Sequence, residues 1–125
     1  GLQRAARRGA AIYGECGGYM VLGRGLIDAH GARHEMTGLL PLETSFAARR
    51  AAIGYRAMRL LGPGPLGEAG TPYRGHEFHY ATIIDEGGCE PLFAAADVDG
   101  ASLGETGRID GRVFGSFLHL IDRAG

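Results

Sequence analysis

Gly14-Glu15-Cys16-Gly17-Gly18 is the stretch on which the reading of this chain turns. It follows a short apolar run, Ala10 to Tyr13, and precedes the helical pattern Tyr19-Met20-Val21-Leu22. The run reads as a buried strand, so the segment has the form glycine-x-nucleophile-x-glycine at a strand-to-helix junction. A nucleophile must project from a sharp turn, and the residue at such a turn is held in a strained conformation. Glycines flank it because side chains there would collide with the adjacent strand and helix. The following helix aims its free N-terminal amides at the sulfur, and the amide of Gly17 is placed to donate to an oxyanion. Cysteine is also among the most buried residue types, so a structural cysteine in a glycine-rich turn is the competing reading of this segment taken alone.

Working outward, residues 2–9 read as the end of a helix with Gly9 as its stop. Helix, strand, tight turn and helix in so few residues is the rhythm of a parallel α/β fold. Residues 26–38 read as a loop rich in His, Gly and charge, and Gly38 to Leu42 as a short apolar stretch broken by Pro41. Ile53 to Leu61 alternates as a strand does, and Gly62 to Pro72 is a Gly/Pro loop. Tyr73 to Ile84 is the clearest strand, Glu86-Gly87-Gly88 a turn, and Ala94 to Val98 and Arg112 to Leu118 further strands. No repeat or low-complexity tract is visible.

The 125 residues suit one domain, residues 1–125, with a single core. A net charge of -1 gives no reason to expect nucleic acid or an anionic membrane as partner. All 13 basic residues are Arg, so a P-loop lysine, and any ATP site of that type, must lie elsewhere. No apolar run is long enough to cross a bilayer. The two cysteines, Cys16 and Cys89, suggest no disulfide framework, and a reducing cytoplasm is the simpler setting.

Acyl transfer by a thiol needs a base and a proton donor for the leaving amine, and histidine does both near neutral pH. Of the five histidines, His119 closes the run Val113-Phe114-Gly115-Ser116-Phe117-Leu118. That puts it at the expected C-terminal end of a strand, the edge where sites form in open α/β sheets. A solvated histidine after a strand is the alternative.

Four segments occur in order: Ile12-Tyr13-Gly14-Glu15-Cys16-Gly17-Gly18-Tyr19-Met20, Met36-Thr37-Gly38-Leu39-Leu40-Pro41, Gly75-His76-Glu77-Phe78-His79 and Gly115-Ser116-Phe117-Leu118-His119. Together they resemble the class I glutamine amidotransferase domain of the cobyrinic and cobyric acid synthase group. The elbow, with G-H-E-F-H and G-S-F-L-H, is most similar to the cobyrinic (hydrogenobyrinic) acid a,c-diamide synthases. The resemblance covers essentially the whole chain. It implies a flavodoxin-like, layered α/β fold with a mainly parallel sheet, whose opening strands are expected to lie outside this segment.

The resemblance further implies Cys16 as nucleophile and His119 as its base, with glutamine as substrate. Ammonia would pass to an ATP- and Mg²⁺-dependent synthetase domain, of the same parent chain or a partner chain, that amidates a corrin. No cofactor is expected in this segment. Many class I amidotransferases carry a glutamate two residues after the histidine; here that position is Ile121. What orients His119 is therefore open, with Asp122 close in sequence. On an extended strand Glu77 and His79 share one face, a possible lining of the site, and His76, Phe78 and Tyr80 share the other. Neither His76/His79 nor His30/His34 reads as a metal pair, and Cys89 reads as structural. Arg49, Arg50, Arg56 and Arg59 read as a solvated face. The rival functions are a cobyric acid synthase glutaminase, a truncated non-catalytic interaction module, and a thiol hydrolase of another substrate.

Overall fold

The computed structural model describes residues 1–47, 52–86 and 88–123. In chain order the elements are α1 (Leu2–Arg7), β1 (Ile12–Glu15), α2 (Gly17–Leu22), β2 (Gly25–Ile27), β3 (Arg33–Glu35), β4 (Leu42–Ser45), β5 (Ala52–Leu60), β6 (Pro72–His79), β7 (Thr82–Glu86), β8 (Glu90–Ala96), β9 (Ser102–Asp110), β10 (Val113–Ser116) and β11 (Leu118–Arg123). A seven-stranded sheet runs β1-β10-β9-β8-β5-β6-β11, and a four-stranded sheet runs β3-β2-β4-β7.

The expected layered α/β fold with a mainly parallel sheet is overturned. Within the seven-stranded sheet only β1 and β10 pair in parallel; every other ladder is antiparallel. Each helix has six residues, too short to cover the face of a parallel sheet. The strand, elbow and helix at Cys16 form as the sequence implies. After α2 the described residues form strands and no further helix, and several of the connections are tight turns.

Two of those turns carry hairpin chemistry. Asp97 Oδ1 accepts from the amides of Asp99 and Ala101, and Gly100, at φ 83°, completes the bend from β8 to β9. Asp110-Gly111, with Gly111 at φ 61°, turns β9 into β10 and sets Val113 opposite Asp110. Strand β9 escapes sequence reading because Gly104 and Gly107 interrupt its alternation, both at positive φ. Residues 26–38 also hold more structure than a loop, since they contain β3 and most of β2.

The expected strand from Tyr73 to Ile84 is two strands. β6 belongs to the seven-stranded sheet and β7 to the four-stranded one, with the change of sheet at Tyr80-Ala81. The predicted strand ending at Leu118 is also divided. β10 pairs with β1 and β9, the chain changes direction at Phe117, and β11 pairs with β6. His119 thus lies near the start of a strand rather than at the end of one. Arg49, Arg50 and Gly87 lie outside the described residues, whereas Arg56 is half-buried and Arg59 exposed.

Two apolar clusters hold the molecule together. Met58, Leu60, Leu92, Phe93, Phe114 and Leu118 pack on one face of the large sheet. Tyr19, Met20, Leu22, Leu40, Leu42 and Phe117 join α2 to β4 and the Phe117 bend. Burying one such Leu or Phe contributes about 1.5–3 kcal/mol. All four residues of β10 are buried, as expected of a strand with both faces covered.

Candidate active site

Cys16 caps the N-terminus of α2 with φ 53° and ψ -111°, and it is the single non-glycine residue at positive φ among those described. Tight packing explains Gly14 on the strand side of the turn, whereas a Cβ at Gly17 or Gly18 would meet nothing within 4 Å, so the expected collision on the helix side is absent. A Cβ at Gly14 would lie 2.6 Å from the carbonyl oxygen of Gly18 and 2.9 Å from Leu22 Cδ1. A Cβ at Gly115, on the neighbouring strand, would lie 2.9 Å from the Tyr19 ring. The Cys16 amide donates to the Ser116 carbonyl at 2.9 Å, extending the β1–β10 ladder up to the bend. Gly17 is exposed and opens α2, so its amide belongs to the first turn, where helix amides lack intrahelical acceptors.

The Cys16 thiol is only half-buried and points at β6, donating to the Phe78 carbonyl at 3.8 Å. His119 is on β11, paired in register with His76 of the same strand β6. The two sequence-predicted residues therefore address positions 78 and 76 of one strand, about 7 Å apart along an extended chain. A side chain not singled out by the sequence lies beside both. Glu15, immediately before the cysteine, places Oε1 3.7 Å from His119 Nδ1. Its other oxygen, Oε2, accepts from the Tyr13 hydroxyl at 2.9 Å and from the Leu120 amide at 2.8 Å. Burial, followed by the hydrogen bond to Glu15, pushes the Tyr13 phenol far above its usual range, so it stays a proton donor.

Asp122, the carboxylate close to His119 in sequence, is engaged elsewhere: it pairs through both oxygens with the Arg74 guanidinium. That partner holds Asp122 below the usual carboxylate range. Ile121, at the position where many class I amidotransferases carry glutamate, is exposed. The signal that would have found Glu15 is the parallel register of β1 and β10, which sets Glu15 against Ser116, three residues before His119.

Glu77 and His79 share a face, as the alternation implies, and they bond each other. His79 Nε2 lies 2.7 Å from Glu77 Oε2, and Arg56 Nε donates to Oε1 at 2.9 Å. The His79 bond, then Arg56, holds the Glu77 carboxyl below its ordinary range against the opposing effect of burial. His79 Nδ1 lies 3.0 Å from the Ala81 carbonyl, and its ring stacks on Phe117 with centroids 4.0 Å apart. This pair thus packs against the Phe117 bend, one residue from the Phe78 carbonyl that faces the thiol. On the opposite face, Tyr55, His76, Phe78 and Tyr80 form a chain of ring contacts, and Tyr55 and Phe78 are exposed.

Among the described residues no group of three His, Cys, Asp or Glu is arranged to hold a metal ion. His34 Nε2 instead faces Asp28 Oδ2 at 2.8 Å, and this bond with the Ala32 amide lowers the Asp28 pKa to about 2. Cys89 is half-buried and packs beside the α2 cluster. Among the described residues no helix is long and apolar enough to cross a membrane.

Comparison with known proteins adds to this geometry. The model of the CobB/CobQ-like glutamine amidotransferase domain matches residues 1–124. The chain is 55% identical, over all its length, to 28% of a hydrogenobyrinate a,c-diamide synthase of a Sinorhizobium species. Proteins of the same name from Brucella anthropi and Rhizobium meliloti are each 51% identical, over 100% and 97% of this chain and 28% of their own length. The chain thus spans little more than a quarter of the curated relatives it matches.

Proposed function

The chain belongs to the CobB/CobQ-like glutamine amidotransferase domain family, and from that premise we propose that it is the glutaminase portion of an ATP-dependent hydrogenobyrinic or cobyrinic acid a,c-diamide synthase. The observation that carries the reading is the strained Cys16 at the β1–α2 bend, its thiol facing the strand along which His119 is paired. The similarity to hydrogenobyrinate a,c-diamide synthases supports the choice of acceptor.

In this mechanism the Cys16 thiolate attacks the side-chain amide carbon of glutamine. The Gly17 amide donates to the developing oxyanion; one such donor is worth roughly 100- to 1000-fold in rate. His119 protonates the departing nitrogen, which leaves as ammonia. It then takes a proton from water, which hydrolyses the glutamyl thioester and releases glutamate. Glu77 and His79 shape the wall of the site through Phe78 and Phe117. The chain has no lysine, so it does not fit a P-loop nucleotide site. ATP and Mg²⁺ would be held by the synthetase portion rather than by these residues, and there they would supply activation of the corrin acetate groups that receive ammonia.

The test uses the full-length protein. A diazo-ketone analogue of glutamine should label Cys16, as read by peptide mass spectrometry. Cys16→Ala should abolish glutamine-dependent amidation while leaving amidation from free ammonium salts. His119→Ala should lower glutaminase kcat by about 100-fold or more. Failure of the intact protein to label at Cys16, or glutamine-dependent amidation surviving Cys16→Ala, would overturn the reading.

A further inference from the structure

We propose that Glu15 is the positioning residue for His119, holding the imidazole with its proton on Nδ1 so that Nε2 is free to exchange protons at the reacting centre. The inference rests on the glutaminase reading above. It supplies the orienting group that Ile121 and Asp122 do not.

The argument begins with the two oxygens of one carboxylate. Glu15 Oε2 takes two hydrogen bonds, from the Tyr13 hydroxyl and the Leu120 amide. Those donors fix the plane of the carboxylate and leave Oε1 towards His119 Nδ1, at 3.7 Å. A carboxylate only accepts, so the ring nitrogen facing it is the one that carries hydrogen. The separation is longer than a hydrogen bond, as is common where a catalytic contact tightens on substrate binding. Other carboxylates near β11 are committed: Asp122 to Arg74, and Glu77 to His79 and Arg56.

Topology explains how a residue beside the nucleophile serves the base. β1 and β10 run parallel with Glu15 opposite Ser116, and the chain then bends once, at Phe117, before entering β11. Glu15 therefore reaches from one end of the strand order to the other. The same side chain ties the bend that bears the thiol to the strand that bears the imidazole.

Glu15→Gln tests this by inverting the proton pattern. The Tyr13 hydroxyl and the Leu120 amide demand an acceptor, so the glutamine oxygen occupies the Oε2 position and its NH₂ group faces Nδ1. That nitrogen must then accept, and the ring proton moves to Nε2. Nitrogen-15 histidine spectra of the full-length protein should show the Nδ1–H tautomer for His119 in the wild type and the Nε2–H tautomer in the variant. A similar inversion in a serine triad costs about 10⁴-fold in kcat. His119 is 45% exposed, so a smaller loss is expected here, on the order of 100-fold in glutaminase kcat with KM changed less than about 3-fold. Glu15→Asp keeps the acceptor and should recover part of the loss.

A wild-type His119 found as the Nε2–H tautomer would overturn the proposal whatever the variants do. So would a folded Glu15→Gln protein with kcat within about 3-fold of wild type. Loss of Cys16 labelling in the wild type would instead count against the glutaminase reading, which the tautomer measurement does not touch.

Discussion

Cys16 is held at φ 53°, a conformation that a side chain adopts only under constraint from its surroundings. Such strain costs on the order of 1–3 kcal/mol. Cys16→Gly removes it, at the expense of greater freedom in the unfolded chain. The variant should be inactive yet more stable by about 1 kcal/mol, read as a raised denaturation midpoint in the full-length protein. Gly14→Ala should act in the opposite sense. Its Cβ would meet the Gly18 backbone at 2.6 Å, and relieving that clash costs about 1–3 kcal/mol. At this scale the sequence was informative about the bend, because Gly14 records steric crowding directly, although Gly17 and Gly18 stand in open space. Glu15 stood in plain view within the same pentapeptide. Its partner is 104 positions away, and only the pairing of β1 with β10 reveals it.

Strand β6 shows how one element serves two purposes. Its inward face carries Glu77 and His79, and the outward face carries His76 and Phe78. His79 faces acceptors through both ring nitrogens, the Glu77 carboxylate and the Ala81 carbonyl. The bond to Ala81 sits where the chain leaves one sheet for the other. Because Glu77 is held below its ordinary range, its ionised form favours the folded state. That contribution is complete above the unfolded value of about 4.3 and is lost as pH falls through the lower folded value. Glu77→Gln should therefore flatten the loss of stability in the acid range below about pH 4, measured as thermal midpoint against pH. A pH profile of unchanged slope would contradict the role given to this carboxylate. The alternation of β6 was legible, since period two survives in any strand. Its end was not, because Ala81 to Ile84 continue an apolar pattern while the hydrogen-bonded neighbours change.

For the whole molecule, reading a parallel α/β fold from the first twenty residues extended a local truth too far. Strand, bend and helix are present, but α2 ends at Leu22 and nothing helical follows among the described residues. The signs against a layered fold lay in the second half, in Asp97-Val98-Asp99-Gly100 and Asp110-Gly111. Such Asp and Gly turns join antiparallel neighbours and leave no length for a helical crossover. The order of the large sheet places β1 and β11 at opposite ends, yet the Leu120 amide of β11 bonds the Glu15 carboxylate of β1.

That last bond makes a spectator atom informative. The hydrogen on the Leu120 nitrogen is held by the Glu15 side chain, so it exchanges with solvent when that carboxylate swings away or the sheet ends part, and either event also withdraws the carboxylate from the imidazole. Its exchange rate is thus a clock for how often the molecule gapes at its working edge. Glutamine-analogue adducts that settle the site should slow that clock, and Glu15→Ala should set it running fast while amides deep in β8 keep their pace.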